Sequence, residues 1–182
     1  MNVISNFAAR YERTREEEIS LEDYLEICKN DKSAYATAAE RMLDAIGEPQ
    51  MVDTRNDPRL SRIFANKVIK IYPAFEEFYG MEEAIEQVVS YFRHAAQGLE
   101  EKKQILYLLG PVGGGKSSIA ERLKQLAEKV PFYAIKGSPV NESPLGLFDP
   151  AEDGPILEKE YGIPRRYLQR ILSPWAVKRL EE

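Results

Sequence analysis

Gly110-Pro111-Val112-Gly113-Gly114-Gly115-Lys116-Ser117 is the stretch whose residue types and spacing point most directly at a chemistry. It reads G-x-x-x-x-G-K-S. Before it runs the apolar segment Gln104–Leu109; after it, from Ser118, come Ile119, Leu123, Leu126, Ala127 and Val130 at helical spacing. Strand, glycine loop, helix is the order in which a phosphate-binding loop is built. Glycines let the backbone close around an anion with successive N–H groups pointing inward, and the helix opening at the lysine adds the positive end of its dipole. Lys116 is suited to reach the β- and γ-phosphates of a nucleoside triphosphate as a mobile charge, and Ser117 to place its hydroxyl on Mg²⁺. The expected binding residues are Gly110, Pro111, Val112, Gly113, Gly114, Gly115, Lys116, Ser117 and Ser118. Three consecutive glycines beside a lysine serve folding poorly, which favours binding over a bare turn.

Other chemistry is largely excluded. With one Cys (Cys28) and one His (His94), the chain lacks the ligand sets of zinc and iron–sulfur sites. Cys28 reads as a small apolar core residue and His94 as a surface histidine. A net charge of −5 argues against a general nucleic-acid binder. Residues 1–50 carry 6 basic and 11 acidic side chains, whereas residues 111–182 carry 11 and 10. No run approaches the roughly 18 apolar residues of a membrane span, and the first residues have no apolar signal core, so a cytoplasmic location is expected. A triphosphatase also needs an acid at the end of an apolar strand to hold Mg²⁺. After Ser117 the only aspartates are Asp149 and Asp153, and Pro144, Gly146 and Pro150 spoil a strand before Asp149.

The elements that must position the loop are legible in outline. Ser20 and Asp23 open a helix with Leu21, Tyr24, Leu25 and Cys28 on one face, broken at Asn30-Asp31. Tyr35, Ala38, Met42, Ala45 and Ile46 mark a second helix, stopped by Gly47. Residues 50–62 read as a loop or linker, and Lys67–Tyr72 as a short strand whose Lys70 is exposed. Met81, Ile85, Val88, Val89, Phe92 and Ala96 lie on one face of a helix ending near Gly98. Gln104–Leu109 reads as a buried parallel strand and Pro131–Lys136 as the next one. In an open α/β sheet the loop after that second strand lies near the ligand crevice. Asn141, Glu142 and Ser143 there either face ligand or partner, or belong to a solvent loop punctuated by prolines. The tail from Pro155 reads as mainly helical, with Ser173-Pro174 opening the last helix; Arg165 and Arg166 either contact phosphate or an adjacent subunit, or lie on a solvated basic face, which is the reading favoured. Only 65 residues follow Ser117, too few for a five-stranded sheet, so the chain reads as the front of a longer protein.

Residues Glu12 to Trp175 resemble the N-terminal part of the PrkA serine protein kinase family. The matching stretches are SAYATAAERMLDAIGEP, DPRLSRIF, YPAFEEFYGMEEAIEQVVSYFRHAAQGLEEKKQILYLLGPVGGGKSSIAERLK and KGSPVNESPLGLF. The resemblance implies an AAA+-like P-loop NTPase, an α/β fold with a parallel sheet core, here incomplete and preceded by a helical extension. Its divisions would be a helical extension over 1–50, a linker and short strand over 51–72, and a partial nucleotide-binding domain over 73–182. It further implies ATP and Mg²⁺ as cofactors, Phe78–Phe92 along the adenine side, a protein substrate or partner, and homo-oligomers as in AAA+ proteins. Serine/threonine protein kinase activity is attributed to a C-terminal region of the family. Neither that region nor any eukaryotic-type kinase motif occurs in these 182 residues, so the chain alone is expected to be inactive. The alternatives are a non-catalytic interaction module docking through its acidic arm, or the front half of an ATP-dependent remodelling or protease machine.

Overall fold

Helix signals written into the sequence decide most of the local structure. The computed structural model describes residues 2–14, 18–129 and 131–182, which divide into two units: Met1–Tyr35 with Tyr133–Glu182, and Ala36–Phe132.

In the first unit, α1 (Val3–Thr14) leaves Val3, Ile4, Phe7 and Tyr11 exposed. Helix α2 (Leu21–Asn30) opens as expected: the Asp23 N–H donates to Ser20 Oγ at 3.1 Å, satisfying an orphan donor of the first turn. Tyr24, Leu25 and Cys28 are buried, whereas Leu21 lies outside the core. Their partners come from the far end of the chain. They are Leu145 in the 3-10 turn Pro144–Leu147, Leu157 in the helix that follows that turn, Ile163 and Leu168. Burying each such aliphatic side chain contributes about 1.5–3 kcal/mol.

Two elements close this unit. Helix α7 (Gly154–Tyr161) stops at Gly162, whose φ of 68° suits a residue without Cβ. Helix α8 (Pro174–Glu181) is capped by Ser173, with Pro174 in the first turn. The tail is helical only in pieces. Residues 168–173 are irregular, because Leu168 is buried and Arg170 takes a φ of 45°.

The second unit begins with α3 (Ala38–Ile46). A capping box opens it: the Thr37 N–H donates to Glu40 Oε2 at 2.7 Å, and the Glu40 N–H to Thr37 Oγ1 at 3.3 Å. Strands β1 (Gln50–Asp53) and β2 (Val68–Ile71) pair antiparallel, Gln50 opposite Ile71 and Asp53 opposite Val68. Between them lies α4 (Pro58–Phe64), started by the Asp57 carboxylate accepting the Arg59 N–H at 2.8 Å, with Pro58 in the first turn. Residues 50–62 are therefore ordered secondary structure and not a linker. Helix α5 (Glu82–Ala96) follows Gly80 and precedes Gly98, both with positive φ. Helix α6 (Lys116–Glu128) packs with α3 and α5 through Ile46, Tyr72, Phe75, Ile85, Val89, Ile119 and Leu126. Val130, expected on that helical face, lies outside the described residues.

The expected parallel core is not formed among the described residues, whose one sheet is β1–β2. Residues 105–111 run without regular structure. Ile105, Tyr107 and Leu109 are 90%, 79% and 84% exposed, whereas Leu106 and Leu108 are half-buried. Residues 131–135 pair with no strand either; the Ile135 N–H donates to the Glu142 carbonyl at 2.9 Å. A parallel strand takes its ladder bonds and its buried outer face from neighbours on the sheet, and no described segment supplies them.

Candidate functional site: the glycine loop before α6

The loop is made by backbone conformations that only glycine adopts cheaply. Gly113 and Gly115 have φ of 79° and 72°. A Cβ on Gly114 would meet the Pro111 carbonyl oxygen at 3.1 Å, and one on Gly115 would lie 2.8 Å from Met81 Sδ. The Gly114 N–H donates to the Pro111 carbonyl at 3.2 Å and closes the turn. Gly115 is the N-cap of α6 and brings no capping side chain. The first N–H groups of α6 therefore face whatever occupies the loop.

Lys116 bends back over this turn. Its Nζ donates to the Gly110 carbonyl at 2.8 Å and to the Pro111 carbonyl at 2.5 Å. A cation is thus held across the loop mouth, where a triphosphate would present its charge. Ser117 and Ser118 are exposed on the first turn, and Val112 is fully exposed at the tip. The loop is a cradle that a Cβ would fill, with an ammonium and a helix N-terminus converging on it. These features fit a nucleoside triphosphate. For Mg²⁺ the loop offers one hydroxyl, Ser117. The described residues hold no cluster of three or more His, Cys, Asp or Glu suited to a metal.

The second unit holds the whole expected binding set, Gly110 to Ser118, together with part of its frame. Met81 packs against Gly115, and Arg122 of α6 donates from Nε to the Ala74 carbonyl at 2.6 Å. Neither contact has a sequence signature: the partners lie 34 and 48 residues apart. Tyr79, in the turn before Met81, is 87% exposed.

Other candidate residues serve structure. Asp149 lies in a turn of the other unit; its carboxylate accepts the Ala151 N–H at 2.8 Å and pairs with Arg170. The Ala151 amide, with Arg170, holds its carboxyl below the usual aspartate value. Glu142 faces inward, accepting from the Ser173 N–H, from Ser173 Oγ at 3.0 Å and from Ser138 Oγ at 2.8 Å. The Ser173 amide is the main cause of its lowered pKa. Lys70 is not a lone exposed lysine but pairs with Glu86 of α5. His94 is a partly exposed histidine with an acidic neighbour, its Nδ1 3.1 Å from Glu101 Oε1. Cys28 is buried, which pushes its thiol pKa up and makes it a poor nucleophile. Arg165 approaches Glu158 at 3.9 Å on an exposed face.

The sequence surrounding this loop matches the family described as the PrkA AAA domain over residues 19–182. The chain belongs to the PrkA AAA domain family. Membership makes it a P-loop NTPase domain by descent, and the glycine loop is the feature such domains use for nucleotide. Among relatives, the chain is 66% identical to the serine/threonine kinase YeaG of Escherichia coli (strain K12), over 100% of its own length and 29% of that protein. It is 36% identical to the ATP-dependent protease PrkA of Bacillus subtilis (strain 168), over 95% of its own length and 27% of that protein. The chain thus spans less than a third of either relative. No solved structure matches it. Among the described residues no helix is long and apolar enough to cross a membrane.

Proposed function

We propose that this chain binds Mg-ATP through Gly110–Ser118 and supplies the nucleotide-binding part of a PrkA-type ATP-dependent protein. The observation that carries this reading is the bent glycine loop, with Gly113 and Gly115 at positive φ and the Lys116 ammonium drawn across it onto two loop carbonyls. The backbone amides and Lys116 would hold the β- and γ-phosphates, and Ser117 would ligate Mg²⁺ carried in with the triphosphate. When bound, Mg²⁺ neutralises charge on the phosphate oxygens. The segment from Phe78 to Phe92 would then run along the adenine side, as the family resemblance implies, with exposed Tyr79 offering a ring and Met81 touching the loop.

The two relatives carry different activities in their names, a serine/threonine kinase and an ATP-dependent protease. Both chemistries draw on a nucleoside triphosphate, and that shared requirement is what the loop can supply. The 182 residues alone should bind without turning over.

Titration of Mg-ATP against the 182-residue chain tests the proposal. Lys116→Ala should weaken binding at least tenfold, since a charge-assisted contact of about 1.5–3 kcal/mol is removed. Equal affinity in wild type and variant would overturn it. A steady phosphate-release rate in wild type, lost in Lys116→Ala, would disprove the absence of turnover.

A further inference from the structure

We propose that Arg122 is a positioning residue that sets segment 73–81, which leads into the adenine-side stretch Phe78–Phe92, against the phosphate loop, so that nucleoside and phosphates are recognised together. The inference rests on the nucleotide-binding reading above and adds to it a residue that touches no ligand.

Arg122 lies on α6, six residues after Lys116, with its side chain only 24% exposed. Its Nε donates to the Ala74 carbonyl at 2.6 Å, and its Nη2 lies 3.4 Å from Glu77 Oε1. Ala74 belongs to the 3-10 turn Pro73–Phe75, whose Phe75 is buried in one cluster with Ile119 and Leu126 of α6. The chain then passes Phe78, which meets Phe75 edge-on at 5.9 Å, and exposed Tyr79. At Met81 it returns to the loop, against Gly115.

Segment 73–81 is therefore held to the loop-bearing helix by a directional, charge-assisted hydrogen bond at Ala74, an ion pair at Glu77, the buried ring of Phe75 and a thioether packed on Gly115. The thioether alone fixes little, because methionine adapts its rotamers. The guanidinium adds direction, since Nε donates to the Ala74 carbonyl while Nη2 pairs with Glu77 three residues further on. Lysine, a point charge on a flexible stem, cannot hold both.

The test compares Mg-ATP, Mg-GTP and magnesium tripolyphosphate binding by wild type, Arg122→Lys, Arg122→Ala and Lys116→Ala. Arg122→Lys and Arg122→Ala should weaken ATP about tenfold, within the roughly 5- to 150-fold range of coupled sites, and narrow the preference for ATP over GTP. Tripolyphosphate affinity should stay within about twofold, which a merely unfolded loop would not allow. Equal losses for ATP and tripolyphosphate, or no loss of ATP affinity, would overturn the proposal. Arg122→Lys keeps the charge and most of the stem, so it answers the question if Arg122→Ala fails to fold. Lys116→Ala should weaken both ligands. If it weakens neither, or if wild type binds neither, the nucleotide-binding reading itself fails and this inference with it.

Discussion

Lys116 has two tasks in one side chain. Its ammonium is the charge available to phosphate, and it also bridges the Gly110 and Pro111 carbonyls. Replacing it with alanine removes both, so the affinity lost will exceed that of one phosphate contact. Gly115 separates two other causes in the same loop. An alanine there must adopt a φ near 72° and must also move Met81 Sδ, 2.8 Å from the new Cβ. The thioether is flexible and the backbone term is not, at about 1–2 kcal/mol for a non-glycine left-handed residue. Gly115→Ala should therefore weaken Mg-ATP binding about 5- to 30-fold, and adding Met81→Ala should not restore it. Recovery in the double variant, read by calorimetric titration, would place the cost in the contact instead.

Elements carry the next layer. Helix α8 is fastened by Glu142, which takes the Ser173 amide and hydroxyl from the helix start and Ser138 Oγ from its own loop. Because its folded pKa is lowered, this carboxylate contributes stability above the ordinary glutamate value of 4.5 and loses it as pH falls through the folded pKa. Protection factors of the amides in Ala176–Leu180, corrected for the intrinsic pH dependence of exchange, should fall on acidification below about pH 4.5 in wild type. Glu142→Gln should show faster exchange at neutral pH and a flatter acid profile. Unchanged exchange in the variant would remove Glu142 as the fastener.

The same scale shows where sequence reading succeeded and why it stopped. Ser20 with Asp23, Ser173 with Pro174 and the face from Ile85 to Val89 are local signals, each settled within a few residues, and each forms as read. The loop from Gly110 to Lys116 is local too, which is why its shape was legible. Pairing of β1 with β2 joins residues 15 to 21 positions apart across α4, and no hairpin turn announces it. Residues 104–109 have the apolar composition of a buried strand, but composition does not say which neighbours lie beside it. Exposed Ile105, Tyr107 and Leu109 make an open apolar face, and such faces associate. Tyr107→Lys should raise the solubility of the 182-residue chain and leave its melting temperature within about 2 °C, since surface substitutions typically cost under 0.5 kcal/mol. A large drop in melting temperature would mean that the face is covered.

At the scale of the molecule, two separate cores divide the work. The loop, its helix and the segment that flanks it belong to the core around Ile85, Val89 and Ile119. The other core joins Tyr24, Leu25 and Cys28 to Leu145, Leu157, Ile163 and Leu168. Leu145, 1% exposed, should cost about 2–5 kcal/mol on truncation to alanine and free the Cys28 thiol for alkylation. Protection of Cys28 equal to wild type would contradict that packing. This interleaving has a consequence for synthesis in the cell. The apolar face of α2 leaves the ribosome well over 100 residues before Leu145 does. At about 5–20 residues per second that is a wait of roughly 6–25 s. During that interval a greasy patch of nascent chain stays uncovered, and a holding chaperone would find it there.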